Sequence, residues 1–177
     1  MIVRRATAAD ARAIADLHAD SWRATYRGSF RDDFLDGPVF EERRRAWQER
    51  LTAVADSDAV LVLLGEAHDA LQAFVCVVLD ADPLWGALVD NLHVSPARKG
   101  RGYGRRLLAE AAAWVEQKRP GSRVHLWVHE HNVAARGFYD HLGGTAADRA
   151  THVGPEGSRV TAIRYVWNAP AMLIGDA

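Results

Sequence analysis

Three glycines at every second position, Gly100, Gly102 and Gly104, constrain this chain more than any other feature. They lie inside the stretch from Asp90 to Leu108, which reads as a strand, a glycine-rich turn and a helix. In the strand half, Leu92 and Val94 alternate with polar neighbours, and Pro96, which cannot donate to a ladder, marks the exit. From Tyr103 onward the apolar residues Tyr103, Leu107, Ala111, Trp114 and Val115 recur at helical spacing, so a helix starts within the glycine run.

A helix that starts this way offers N–H groups without internal partners, and the positive end of its dipole points at the same place. Arg98, Lys99, Arg101, Arg105 and Arg106 surround the turn. Glycines let an anion approach the backbone itself, and each hydrogen bond to a charged group is worth roughly 1.5–3 kcal/mol. A pyrophosphate suits such a turn. Glycine spacing alone also fits a tight strand-to-helix connection with solvated arginines, so the neighbouring motifs must decide.

The 177 residues suffice for one domain with a real core, expected over residues 1–167, with residues 168–177 as a loose tail or an arm on a partner subunit. With 22 basic and 23 acidic residues the net charge is -1, which provides no global field for a polyanion. Nucleic-acid binding is therefore not expected. The single cysteine, Cys76, excludes an internal disulfide and sits in the apolar run Phe74-Val-Cys-Val-Val78 as a small hydrophobe rather than a nucleophile. No apolar run reaches the ~18–20 residues of a membrane span, and Met-Ile-Val-Arg-Arg5 lacks a signal-peptide centre. A cytoplasmic protein without a membrane partner is expected.

In chain order, Ile2 to Arg5 is β-like and Thr7-Ala-Ala-Asp10 has the form of a capping box with Asp in place of Glu. The helix that follows carries Ile14, Leu17, Ser21 and Thr25 on one face and Trp22 and Tyr26 on an adjacent one, and Gly28 ends it. Trp22 and Tyr26 either pack internally or wall a substrate pocket. Phe34 to Pro38 reads as a connection. Phe40, Trp47, Leu51 and Val54 then mark a second helix whose other face, with Glu41, Glu42, Arg43, Arg45 and Glu49, reads as solvated.

Val60 to Leu64 and Leu71 to Leu79 should pair antiparallel across Gly65 to Ala70, and Ala87 to Val94 should feed the glycine turn. The third helix runs to about Lys118, where Pro120-Gly121 stops it. Val124 to Val128 is the next strand, so strand, helix and strand imply a parallel pair joined by a right-handed crossover. Asn132 opens a short helix with Ala135, Phe138 and Leu142, closed by Gly143-Gly144, and Thr145 to Thr151 with Arg159 to Trp167 forms a last hairpin. His125 and His129 tempt a zinc reading, but strand spacing holds them too far apart and no third ligand matches. No metal is expected.

Two separated motifs now agree. Lys99-Gly-Arg-Gly-Tyr-Gly104 resembles the Arg/Gln-x-x-Gly-x-Gly/Ala acyl-CoA signature of the GNAT superfamily of N-acyltransferases. The segment Asn132-Val-Ala-Ala135-Arg-Gly-Phe138-Tyr139 is similar to that family's Asn-x-x-Ala-x-x-Phe/Leu-Tyr, at a spacing of ~30 residues that suits one βαβ unit. Ser21-Trp22-Arg23 and Tyr26-Arg27-Gly28 resemble the first helix of many bacterial members. Two departures stand out: Lys99 replaces the usual Arg or Gln, and Gly144 stands where an aromatic commonly follows the glycine.

The resemblance implies an α/β fold of the α+β type. Its sheet would be mixed and mostly antiparallel, with six to seven strands, a central parallel pair splayed to admit CoA, and about four flanking helices. It implies acetyl-CoA as cosubstrate, with the backbone of Gly100, Arg101, Gly102, Tyr103, Gly104 and Arg105 and the side chain of Lys99 at the pyrophosphate. Leu92, His93 and Val94 would pair with the pantetheine arm. Asn132 would contact pantetheine or a nearby backbone group, with helix capping as its other reading, and Ala135 would line the same site. Tyr139 would protonate the leaving thiolate, the alternative being a core aromatic beside Phe138.

The acceptor is a primary amine of a small molecule or peptide, and it must be neutral to attack. A lysine-like amine with pKa ~10.4 is neutral about one time in two thousand at pH 7, a handicap of roughly 4–5 kcal/mol, whereas an α-amine with pKa ~8 loses only about 1–1.4. Asp90 is the candidate base, with binding of the acceptor's positive charge as its other reading. His93, His125, His129 and His131 cluster nearby in sequence. Rival functions are a non-catalytic acyl-CoA sensor or interaction module, and an acyltransferase using another acyl-CoA. A homodimer through the late strands or tail is a further expectation.

Overall fold

The structure, a computed structural model, describes residues 2–53, 58–65 and 70–174. Seven strands form one sheet: β1 (Ile2–Arg5), β2 (Asp58–Leu64), β3 (Leu71–Asp82), β4 (Gly86–Val94), β5 (Val124–His129), β6 (Thr145–Val153) and β7 (Arg159–Trp167), in the order β1-β2-β3-β4-β5-β7-β6. Every pairing is antiparallel except that of β4 with β5. Four longer helices flank it: α1 (Ala11–Thr25), α3 (Pro38–Thr52), α4 (Tyr103–Lys118) and α5 (Val133–His141). The single turns α2 (Asp32–Leu35) and α6 (Ala171–Ile174) complete the α-helical set of the described residues, and Ala8–Asp10 and Pro96–Arg98 form 3-10 turns. This is the mixed, mostly antiparallel α/β architecture expected.

The sheet is covered on both faces where its strands read as unbroken apolar runs. Val60, Val62, Phe74 and Cys76 pack under Ile14, Ala15 and Leu17 of α1 and Trp47 of α3. Leu61, Leu63, Val75 and Val77 alternate to the other face and meet Leu107, Leu108, Ala111 and Val115 of α4. A strand buried on both sides cannot alternate in polarity, which is why β2 is apolar from Ala59 to Leu64. Cys76 is fully buried in this packing, and desolvation pushes its thiol up to about 12, as a hydrophobe rather than a nucleophile requires.

The local signals set most element ends. The Thr7 amide donates to Asp10 Oδ2 at 2.7 Å, the reciprocal half of a capping box. α5 closes in a Schellman turn, with Gly143 at φ +75°, its N–H donating to the Asp140 carbonyl and the Gly144 N–H to the Tyr139 carbonyl. Three expectations need correction. Phe34 to Pro38 is not a plain connection: α2 buries Phe34 and Leu35, and Pro38 opens α3, where its missing N–H costs nothing. α1 stops at Thr25, so Gly28 lies in the turn beyond it. The terminal segment is not loose as far as Ile174, since α6 folds back onto α4 and buries Leu173. Val54, residues 66–69 of the expected hairpin connection and residues 175–177 lie outside the described residues.

What positions the site is the failure of β4 and β5 to stay paired. They match only at Ala87 with Val124 and Leu88 with His125. Beyond Leu88 they diverge. At Gly86 the chains approach so closely that a Cβ would stand 2.3 Å from the Arg123 carbonyl oxygen, and φ is +76°. The register of β4 on β3 also jumps, Cys76 facing Asn91 and Val77 facing Val89, so Asp90 is the extra residue of a bulge. A bulge bends its strand and re-aims a side chain.

Candidate active site

The splay opens a cavity of about 1220 Å³ between β4 and β5, larger than the ~300–1,000 Å³ of common small-ligand sites. One side of it is built almost entirely from contiguous chain. Leu92, His93 and Val94 bond to β3 through one edge and present the other to the cavity. The chain then turns through Lys99 and Gly100 into Gly102, at φ +78°, which caps α4. The first helical bond runs from the Arg106 N–H to the Gly102 carbonyl at 3.0 Å, so the amides of Tyr103 and Gly104 have no carbonyl within the helix. A Cβ on Gly100 or Gly102 would meet nothing within 4 Å, so the space in front of this backbone is open. A phosphate could come against it.

Most residues singled out from the sequence line this one cavity: Leu92, His93, Val94, Lys99, Gly100, Gly102, Tyr103, Gly104, Arg105, Asn132, Ala135, Tyr139, Trp22, Tyr26 and Asp90. Arg101 does not; it is exposed and its side chain is not part of the wall. Asn132 caps α5, its side-chain oxygen accepting from the Ala135 amide at 3.2 Å, which leaves the side-chain NH₂ for another partner. Phe138 lies behind the turn, with its ring edge 3.6 Å from where a Gly104 Cβ would stand.

Tyr139 is only 8% exposed and packs on Tyr165 and Trp167, with ring centroids 5.7 and 6.0 Å away. These rings are themselves anchored to α5, Tyr165 donating to Asp140 at 2.9 Å and the Trp167 indole to the Leu142 carbonyl at 2.8 Å. Burial, with Tyr26 nearby, pushes the Tyr139 phenol well above its ordinary value, so it keeps its proton. Gly144 has its explanation here: a Cβ would fall 2.7 Å from the Trp167 ring and 3.0 Å from the Tyr139 carbonyl oxygen. Trp167 fills the space that an aromatic after the glycine would need.

The opposite wall comes from four distant segments. Trp22, Tyr26 and Phe30 form a cluster with centroids 5.1–5.9 Å apart, and Tyr26 stacks on His129 at 4.3 Å. The hairpin between β6 and β7 leans on this cluster, since a Cβ on Gly154 would stand 2.7 Å from the Phe30 ring. Glu156 ties it down by accepting from the Arg31 and Ser158 amides. α3 contributes Arg43, Trp47 and Arg50.

That contribution corrects the reading of the α3 charge run as a solvated face. Arg43 is bonded to Glu42 and lies over the Trp22 ring at 4.4 Å, with its side chain 16% exposed. Arg50, outside that run, pairs with Asp90, which also accepts from Asn91 Nδ2 at 2.7 Å. Arg43, Ala46, Trp47 and Arg50 follow i, i+3, i+4, i+7 spacing, the signal that could have revealed this face.

Four buried or half-buried histidines, His18, His93, His125 and His129, are held neutral. Burial, with Arg43 and Lys99 adding repulsion, pushes His93 down to about 3, and its Nδ1 lies 2.9 Å from Ser21 Oγ. Burial likewise takes His18 well below its ordinary value, and its Nδ1 accepts from the Trp47 indole at 2.9 Å. His129 is lowered to about 4 by burial and then by His131 and His152. His125 is not part of the cavity wall, and its Nδ1 lies 3.1 Å from Arg164. Among the described residues no three His, Cys, Asp or Glu side chains are grouped to hold a metal.

Comparison with known proteins agrees with this geometry. An uncharacterized N-acetyltransferase, YuaI of Bacillus subtilis (strain 168), is 29% identical over 132 residues that cover 73% of this chain and 72% of the relative. The crystal structure of PaiA N-acetyltransferase from Thermoplasma acidophilum in complex with coenzyme A superposes with a TM-score of 0.75 at 18% identity, over 94% of this chain and 98% of that one. A ribosomal-protein-alanine N-acetyltransferase from Brucella melitensis gives 0.69 at 20% identity, over 95% and 99%. These two structures show a shared fold. The acetyltransferase (GNAT) family profile matches residues 13–143, which take in β4, the glycine turn, α4 and Tyr139. The chain belongs to the acetyltransferase (GNAT) family.

Proposed function

We propose that the protein is an N-acetyltransferase that moves the acetyl group of acetyl-CoA to a primary amine of a small molecule or peptide by direct attack within a ternary complex. One observation carries the reading: a single cavity joins the glycine turn at the start of α4, the unpaired edge of β4 and the Tyr139 phenol to an aromatic wall on its far side. Donor and acceptor can therefore occupy it together. The solved relative from Thermoplasma acidophilum, of the same fold, holds coenzyme A.

In this reading the amides from Gly100 to Arg105 and the Lys99 side chain hold the pyrophosphate, and Leu92 to Val94 pair with the pantetheine amides as an added strand would. Asn132, with its oxygen already bonded in the cap, offers its NH₂ to the same arm, beside Ala135. The acceptor's nitrogen forms its bond to the thioester carbon as the carbon–sulfur bond breaks. Tyr139, kept protonated by burial, gives its phenolic proton to the departing sulfur. The proton shed by the amine restores the phenol, so the products are an amide and free thiol.

Asp90 is bonded to Arg50 and Asn91, which suits it to face the acceptor's ammonium better than to take a proton from it. His93 and His129 are poor bases at neutral pH for the reason given above. Such a site favours acceptors whose amines are already partly neutral. Thiol release from acetyl-CoA, followed with and without a panel of primary amines, tests the reading. Release that depends on an amine is expected; no amine dependence would leave an acyl-CoA binder without transferase activity.

A further inference from the structure

The acceptor side of the cavity has an unusual charge inventory. Among the described residues, Asp90 is the only acidic side chain that lines it, whereas α3 sends in both Arg43 and Arg50. Asp90 is already paired with Arg50. A polycationic acceptor would find one carboxylate, shared with a guanidinium, and no second. Arg43 gives Nε and Nη2 to Glu42, which stays outside the cavity wall, and has its guanidinium carbon 4.4 Å from the centre of the Trp22 ring. Its Nη1 makes no hydrogen bond among the described residues. His93, between these groups on β4, is neutral and cannot hold an anion by charge.

A guanidinium with a free edge, stacked on an aromatic ring and 16% exposed, is suited to bind a carboxylate with geometric selectivity. The same cavity holds one carboxylate, Asp90, on the bulge of the strand that borders the donor and paired with Arg50 two helical turns further along α3. We propose that the acceptor is a primary amine that carries its own carboxylate, the amine facing Asp90 and losing its ammonium proton to solvent before it attacks, the carboxylate held by Arg43 with support from Arg50. The inference rests on the transferase reading and names the acceptor class within it. Bound this way, the acceptor adds its amine to the Asp90–Arg50 pair and its carboxylate to the Arg43–Glu42 pair, and Trp22 and Trp47 wall its carbon skeleton. A free amino acid and a peptide whose first residue is acidic share this chemistry.

The test compares acceptors that differ only in the carboxylate. Free amino acids are run beside their amides, and amidated peptides beginning with Asp or Glu beside those beginning with Asn or Gln. The acids should be used with KM at least about ten-fold lower than their neutral partners; whichever pair shows the difference identifies the source. Arg43→Gln should raise KM for the acids by about ten-fold or more and leave the amides and acetyl-CoA unchanged, while Arg43→Lys, which keeps the charge without the fork, should recover part of the loss. Equal use of acids and amides, preference for a linear polyamine, or an equal loss of both in Arg43→Gln would overturn the proposal. Should wild type release no thiol with any amine, the transferase reading fails, and calorimetric titration of the same acids and amides then decides the inference: saturable binding of the acids alone sustains it, and equal or absent binding overturns it.

Discussion

The two walls of the cavity are made in different ways. The donor wall is a nearly continuous piece of chain, β4, the glycine turn, the start of α4 and then α5, whose shape is set by local rules: a free strand edge, a left-handed glycine at a helix cap, an Asn cap. The acceptor wall is assembled from α1, α3, the tip of β5 and the hairpin between β6 and β7, none of which has that shape alone. A local wall can be kept by a motif while its neighbour changes. An assembled wall can change acceptor without disturbing donor binding.

The sharpest way to break this contrast is Gly102→Glu. The residue sits at φ +78°, where a side chain is strained, and a carboxylate would face the open anion site. Acetyl-CoA affinity should fall at least about 100-fold with the fold retained by circular dichroism; tight binding would remove the glycine turn from the donor wall. Tyr139→Phe probes chemistry on the same wall. A loss of kcat on the order of 10²-fold, with acetyl-CoA affinity nearly unchanged, is the expectation for a lost proton donor. Unchanged turnover would return Tyr139 to the role of a core aromatic.

Gly154→Ala touches only the acceptor side. Its methyl would need the Phe30 ring to move from 2.7 Å, so the hairpin and the aromatic cluster must shift together. A few-fold rise in acceptor KM with the acetyl-CoA KM unaltered is expected, and a change in both would mean the walls are coupled. A separate effect is on stability. Buried His18 and His125 titrate far lower in the folded chain than the ordinary 6.5, His125 at about 4. The unfolded chain therefore binds more protons below about pH 6.5, and stability falls as pH drops from there toward 4, by at most about 1.4 kcal/mol per pH unit for each group. Denaturant unfolding at pH 7 and pH 5 would show it; equal stabilities would mean these imidazoles are not held neutral.

How much of this was legible follows the same division. The strands and longer helices could be read from periodicity and from Gly and Pro, because each signal acts within a few residues; α4 ends at Lys118 as its pattern indicates. The residues proposed to hold the donor could be named for that reason. Arg43 and Arg50 could not be placed by reading α3 as one apolar and one charged face. The face with Arg43, Trp47 and Arg50 mixes both, and it is buried only because β4 and α1 lie opposite. The single-turn α2 escaped because its Phe34 and Leu35 are held by tertiary burial rather than by a helical period.

By itself, then, the sequence determined the βαβ core, the glycine turn and the tyrosine on α5, features whose energetics are backbone dihedrals, caps and short-range burial. Only the tertiary structure decided the separation of β4 from β5 after Leu88, the bulge that aims Asp90, and its pairing with Arg50, 40 residues away in the chain. Those depend on which surfaces meet when distant segments pack. No local pattern encodes a meeting of that kind.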